Sequence, residues 1–321
     1  MPFLVVSCGV PGLWSPDASD ALEGAPADAG PPAPASFVVR RVLAGDTDPS
    51  LRPDPNGWRT LGEDLDGRVT DAQSTDVCQL SAGASSSVQI DGQDGIDNSF
   101  GANVIPAIVA AGVASPSIQW AQSTRQGVTR VILVRIDALQ DPSDAASGAL
   151  YVGTTLAGPA NLDGTDVWPL SALSVSAGDA SRPIVRLVAS VHAGALVANA
   201  SAQATVFMPF NSGVLAIPIQ RAQIRATLAP GSMSGTLAGI VPTEVLIEAA
   251  RRALGGIKPS LCSGAMFDVL ATRIRQAQDI LSDGTQDPGK PCDAISIGLG
   301  IDAVGVVFGP VRDDPGAPPC P

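Results

Sequence analysis

Between Ile90 and Gly101 the chain reads IDGQDGIDNSFG, and Asp91, Asp94, Asp97 and Asn98 set four oxygen-bearing side chains within eight residues. Gly92 and Gly95 allow the backbone between them to curl tightly. Three carboxylates at this density repel one another unless a cation or backbone amides sit among them. A hard cation such as calcium takes about six to eight oxygens from carboxylates, carbonyls and water, so this loop is a candidate calcium site. The spacing is not that of an EF-hand: Gly95 falls at the fifth position and no glutamate stands at the twelfth. The competing reading is a cluster of Asx turns whose carboxylates accept hydrogen bonds from their own backbone. A second, weaker candidate is Asp163 and Asp166 followed by Trp168, because an aspartate beside an exposed tryptophan suits a sugar-binding surface. A core tryptophan is the alternative there. The Asp-Gly pattern has a looser echo from Asp283 to Asp287.

Several other chemistries fall away. A Ser-His-Asp centre would have to use His192, the one histidine of the chain, and no G-x-S-x-G elbow accompanies it. His192 is expected to face solvent or to be hydrogen-bonded at a strand end. Four cysteines after Cys8 contain no C-x-x-C pair, which excludes a zinc ribbon on ligand count. Neither a Walker loop nor a strand-following G-x-G-x-x-G is present. Glycoside hydrolysis needs two opposed carboxylates, and among the four glutamates Glu63, in LGEDLDG, is the one placed in a loop able to face a ligand. The formal charge is −12 with two lysines, Lys258 and Lys290. Phosphate neutralisation needs clustered cations, so nucleic acid is excluded as a partner, and polybasic docking on anionic lipid with it.

The elements that must hold these residues are read from periodicity. Ser36–Leu43 and Arg130–Ile136 are β-branched strands. Further strands are expected at Ala149–Leu156, Pro183–Val191, Ala195–Ala200, Ala204–Met208, Val214–Ile219, Ala222–Leu228 and Ser232–Ile240, with Ala294–Phe308 returning to the sheet. Their spacing of roughly 8–12 residues is the rhythm of a sandwich or barrel. Helical spacing marks Asn103–Ala111, a segment from Ser115-Pro116 to Gly127, Pro242–Leu254 and Ala265–Leu281. The fold class expected is mostly β: an antiparallel β-sandwich, jelly-roll or lectin-like, decorated with three or four short α-helices. One β-rich domain spans 37–310, followed by a Pro-rich tail over 311–321.

The N-terminus carries a different signal. Val5-Val6-Ser7-Cys8 resembles a bacterial lipobox, in which Cys8 would be acylated. The apolar run before it is shorter than the roughly 7–15 residues of a signal peptide, so residues 1–8 read as a truncated signal with the natural start upstream. Residues 9–36 then form a Pro/Ala-rich tether of a composition that does not offset its ordering entropy. Assigning Cys8 to lipid leaves Cys78, Cys262, Cys292 and Cys320 for two disulfides. The expected pairs are Cys262–Cys292, stapling the ends of the last helix, and Cys78–Cys320, pinning the tail.

Three segments, Ile90–Pro106, Asn161–Leu170 and Asp279–Gly300, together with Gly45–Asp48 and Leu65–Gly67, resemble a set of uncharacterised exported lipoproteins of myxobacterial genomes. The resemblance covers most of 37–310 and implies export and whole-chain unity, without an activity or a catalytic residue. The functional expectation is therefore an outer-membrane-anchored lipoprotein facing the periplasm or the cell surface. It would be a non-enzymatic ligand-binding or structural domain, with calcium as its one candidate cofactor and a glycan or envelope protein as partner. The alternative is a polysaccharide-processing enzyme that uses Asp or Glu carboxylates.

Overall fold

Alternating burial makes one face of each strand apolar, and such a sheet must cover that face. In this computed structural model, which describes residues 35–137, 145–211, 213–314 and 320, the sheet does so by closing on itself. Strands β1 (Ala35–Leu43), β2 (Val131–Asp137) and β3 (Ala145–Gly153) are followed by β4 (Val167–Ser171), β5 (Val175–Ser176) and β6 (Asp179–Pro183). Then come β7 (Val185–His192), β8 (Ala195–Ala200), β9 (Ala204–Phe210), β10 (Gly213–Ala229), β11 (Ser232–Pro242), β12 (Ala294–Gly305) and β13 (Val307–Arg312). The hydrogen-bonded order β3-β2-β1-β12-β11-β10-β8-β7 returns to β3, because β3 pairs with β2 along one edge and with β7 along the other. The result is an antiparallel 8-strand barrel. The expected β-sandwich is thus corrected. Both edges of the sheet are consumed by closure, where a sandwich would leave two open sheets stacked face to face.

The strand alternation sorts apolar residues into two cores. Phe37, Val134, Leu150, Leu187, Leu196, Ile224, Leu237 and Ile297 come one from each barrel strand and share a single buried cluster, which is the barrel interior. Val38, Leu133, Tyr151 and Val304 point the other way and pack with Trp168 and Leu170 of β4. There β4 and β13 cover the outside of the wall. Val214–Ile219 and Ala222–Leu228, which read as two strands, are one strand, β10. A register shift between Gln220 and Gln223 surrounds Arg221, whose φ of 51° bends the ribbon. Its first half pairs with β9 and its second with β8 and β11.

Four helices complete the fold: α1 (Ile105–Ala110), α2 (Pro116–Gln126), α3 (Thr243–Ile257) and α4 (Ala265–Arg275). Helix α2 starts and stops where its sequence says. Ser115 caps it through a hydrogen bond from the Ile118 amide, and Gly127 ends it with φ 70°. Helix α4 stops six residues short of Leu281, because Ile280 leaves the helix to bridge Ala294. Ala33–Pro321 is one compact unit. Cys8 and nearly all of the expected tether lie outside the described residues, as does most of the expected tail.

Both expected disulfide pairs are corrected: Cys78 bonds Cys292, and Cys262 bonds Cys320. Gln79 explains the first. Its amide donates to the Lys290 carbonyl and its carbonyl accepts from the Cys292 amide, which brings the loop around Cys78 beside Cys292. Two disulfides fit an oxidising, extracytoplasmic compartment. No helix among the described residues is long and apolar enough to cross a membrane.

Candidate metal centre

The long connection from β1 to α1 has no strand or long helix of its own, so its backbone groups need partners elsewhere. Asn98 supplies many of them. Its side-chain amide donates to the carbonyls of Trp58, Leu61 and Gly298, and its Oδ1 accepts from the amides of Gly101 and Gly298. At Gly298 a Cβ would lie 2.1 Å from the Leu61 carbonyl oxygen, so only glycine lets the loop lie this close on β12. Asn98 is therefore a stitch between loop and barrel, with its hydrogen-bonding capacity spent, and is corrected as a metal ligand.

The loop folds so that Asp64, Asp66 and Asp97 bring carboxylate oxygens within 4.8 Å of one another. Asp97 is 3% exposed. Its Oδ2 accepts from the Leu65 amide at 2.6 Å and the Asp66 amide at 3.3 Å. Asp64 Oδ1 accepts from the amides of Gly67 and Arg68. Asp66 accepts from the Arg68 amide and, at 2.8 Å, from Gln286 Nε2. Gln286 in turn accepts from the Cys78 amide, so the Cys78–Cys292 disulfide braces the group from behind.

Two more carboxylates stand behind these three. Asp91 accepts from the amide and hydroxyl of Thr70, and Asp279 from the amide and hydroxyl of Ser296. Burial, reinforced by the neighbouring Asp66 and Asp279, pushes Asp97 up to about 9. Burial likewise raises Asp279 to about 7 and Asp91 to about 6, and lifts Asp66 above its ordinary range. The Arg68 guanidinium donates to the carbonyl and carboxylate of Asp76. Without a cation Asp97 therefore keeps its proton at neutral pH, and a hard cation among these oxygens would take the place of that proton and hold the carboxylates ionised.

Of the sequence candidates, Asp97 belongs to the group and Asp91 lies behind it. Asp94 is corrected: it is exposed, at φ 55°, and outside the three-carboxylate group. Asp64 and Asp66 are members that the spacing of residues 91–98 does not point to. Their signal is the alternation Asp64-x-Asp66-Gly67 beside Glu63. Glu63 itself is spent elsewhere, paired with Arg225 at 2.5 Å and accepting from Thr236.

The second candidate is corrected as a ligand surface. Trp168 is fully buried and donates to the Thr154 carbonyl at 2.7 Å. Asp166 accepts from the amides of Asn161 and Leu162, and Asp163 from the amide and hydroxyl of Thr165. Both are turn-closing residues. His192 ends β7 at the surface opposite Ala195.

No family model, curated protein or solved structure matches the chain.

Proposed function

We propose that this protein is an exported, envelope-anchored barrel domain of non-enzymatic type, held off the membrane by lipid at Cys8, whose long loop closes over a calcium ion. The convergence of Asp64, Asp66 and Asp97 within 4.8 Å carries this reading. Three carboxylates, with carbonyls and water, make an oxygen shell of calcium type. A catalytic pair would be built otherwise. Glycoside hydrolases set two carboxyls on opposite sides of a scissile bond, whereas all three of these accept hydrogen bonds from backbone amides. Disulfides and tether-like composition favour a compartment where calcium is abundant, and even a weak site fills there.

The test compares melting of the full chain in EGTA and in excess calcium. At a calcium concentration about a hundredfold above the dissociation constant, binding adds about 2.7 kcal/mol, several degrees for a domain of this size. Asp66→Asn should lose the rise and Asp94→Ala should keep it. An unchanged midpoint in the wild type, or a rise retained by Asp66→Asn, refutes the site.

A further inference from the structure

At the end of the barrel where β9 and the first half of β10 cross it, a crevice leads into the interior. Its deep part, about 220 Å³, is lined by Ile132, Leu150, Val185 and Leu237 of the barrel wall and by Val206 of β9. Its outer part, about 410 Å³, lies between Phe207, Val214 and Pro218 of the β9–β10 ribbon and Val245 and Ala249 of α3. Leu173, Gln203 and Thr205 line both parts, so the two are one continuous space. Together they reach the size of small-molecule sites, roughly 300–1,000 Å³. Two half-exposed residues mark its mouth: Leu173, 51% exposed, lines both parts, and Ile184, 50% exposed, lines the part that reaches into the barrel. These are large apolar side chains left in water beside an apolar interior.

The charged side chains of the crevice lining depart from the acidic balance of the chain. The chain carries −12 in formal charge, yet the charged residues lining the outer part are Arg130, Arg252 and Glu248. Arg130 is held by Asp314 at 2.6 Å through two nitrogens and lies over the Phe207 ring. Glu248 is shared between Arg251 and Arg252, so one carboxylate faces two guanidiniums. Arg252 makes the shorter of the two contacts, 3.1 Å against 3.6 Å for Arg251, and the three side chains together carry one net positive charge beside the rim.

We propose that the crevice binds a small amphipathic anion, a medium-chain carboxylate, with its alkyl chain between Leu173 and Ile184 and its head at Arg252. The site is separate from the carboxylate group of the long loop and does not depend on calcium.

Titration calorimetry on the full chain, with octanoate, decanoate, dodecanoate and the neutral decanol as probes, tests this. Saturable one-to-one binding is expected. Each added methylene should tighten it about three- to fourfold until the cavity is full. Leu173→Glu and Ile184→Glu should each weaken decanoate about tenfold or more, since they put a charge at the apolar mouth. Arg252→Glu should weaken decanoate roughly five- to tenfold and leave decanol unchanged. Both mouth residues are half exposed, so their variants should melt as the wild type does. If either unfolds, Val245→Glu on the α3 side replaces it. Binding that does not saturate, no dependence on chain length, or full decanoate affinity in the folded mouth variants overturns the site. Equal loss of decanoate and decanol in Arg252→Glu overturns the placement of the head.

Discussion

Asp91-Gly92-Gln93-Asp94 and Asp163-Gly164-Thr165-Asp166 share one local pattern and reach opposite electrostatic ends. In the second stretch every carboxylate is satisfied within a few residues. Hydrogen bonds from the hydroxyl and amide of Thr165 hold Asp163 below its ordinary range, and Asp179 with Ser181 and Asp283 with Thr285 repeat the arrangement. The first stretch, with Asp97 just after it, is covered by chain from far away: Leu65 and Asp66 on Asp97, Thr70 on Asp91, Gln286 and Ser296 behind them. Burial there drives the carboxylates up instead. The motif makes the turn; distant packing makes the chemistry.

The sharpest way to break this contrast is to cut the brace behind the first region. Cys78 and Cys292 are 214 residues apart in sequence, and in the chain-entropy model a loop of that order is worth about 5 kcal/mol. The double variant Cys78→Ser/Cys292→Ser should lose about 2–5 kcal/mol in denaturant unfolding and also bind calcium more weakly, since Gln286 loses its anchor. Non-reducing peptide mapping should recover Cys78 with Cys292 and Cys262 with Cys320. Any other pairing removes the brace from the argument.

Of similar size is Asn98→Ala. Five backbone groups lose a buried partner, and at about 1–3 kcal/mol for each group left unsatisfied, with some reached by water, a loss of about 3–5 kcal/mol is expected. A loss under about 1 kcal/mol would mean that the loop is not stitched to β12 in this way.

These two residue sets show what was legible in the sequence. Most barrel strands, the caps of α2 and the mostly-β class followed from local periodicity, because a strand face or a helix cap is decided by neighbours in the chain, whereas β4, outside the barrel wall, was not among the expected strands. Barrel closure was not legible: the same alternation serves a sandwich until β3 is seen to pair with both β2 and β7. The cysteine pairing failed for a related reason, since nothing near Cys78 or Cys292 in sequence announces that Gln79 bridges them. At the candidate centre, Asp91 and Asp97 stood out through their density, while Asn98 was misread as a ligand because an amide that binds metal and one that binds backbone look alike in one dimension. Asp64 and Asp66 come from a stretch 25 or more residues away, and Asp279 from the far end of the chain.

Asp97 sharpens the contrast through pH. Its folded value is raised, to about 9, so its contribution is fully present below the unfolded value near 4 and is lost as pH rises toward 9. In EGTA the wild type should therefore lose stability between about pH 4 and pH 9, by up to about 1.4 kcal/mol per pH unit from this group. Asp91 and Asp279 add to the loss over the lower part of that window, toward about 6 and about 7. Calcium should offset it, with a melting rise that grows with pH. Asp97→Asn cannot ionise, so in EGTA at pH 8 it should be more stable than the wild type and should ignore calcium. A flat wild-type profile from pH 6 to 9 would count against the buried charge, and a calcium response in Asp97→Asn against the ligand.

The smallest expected effect is the one that tests whether the two motifs truly part ways. Asp163 is exposed and closes its own turn with Thr165. Its carboxylate is already satisfied and held in the ionised form, so a cation would gain nothing there that water does not supply. Asp163→Ala should leave the calcium-dependent melting rise whole and the pH profile in EGTA superimposable on the wild type. Because the turn keeps Gly164 at φ 96°, the backbone can hold its shape without the side chain. If Asp163→Ala instead removes the calcium response while Asp97→Asn retains it, the ion belongs to the exposed turn, and long-range burial would not be what separates the two loops.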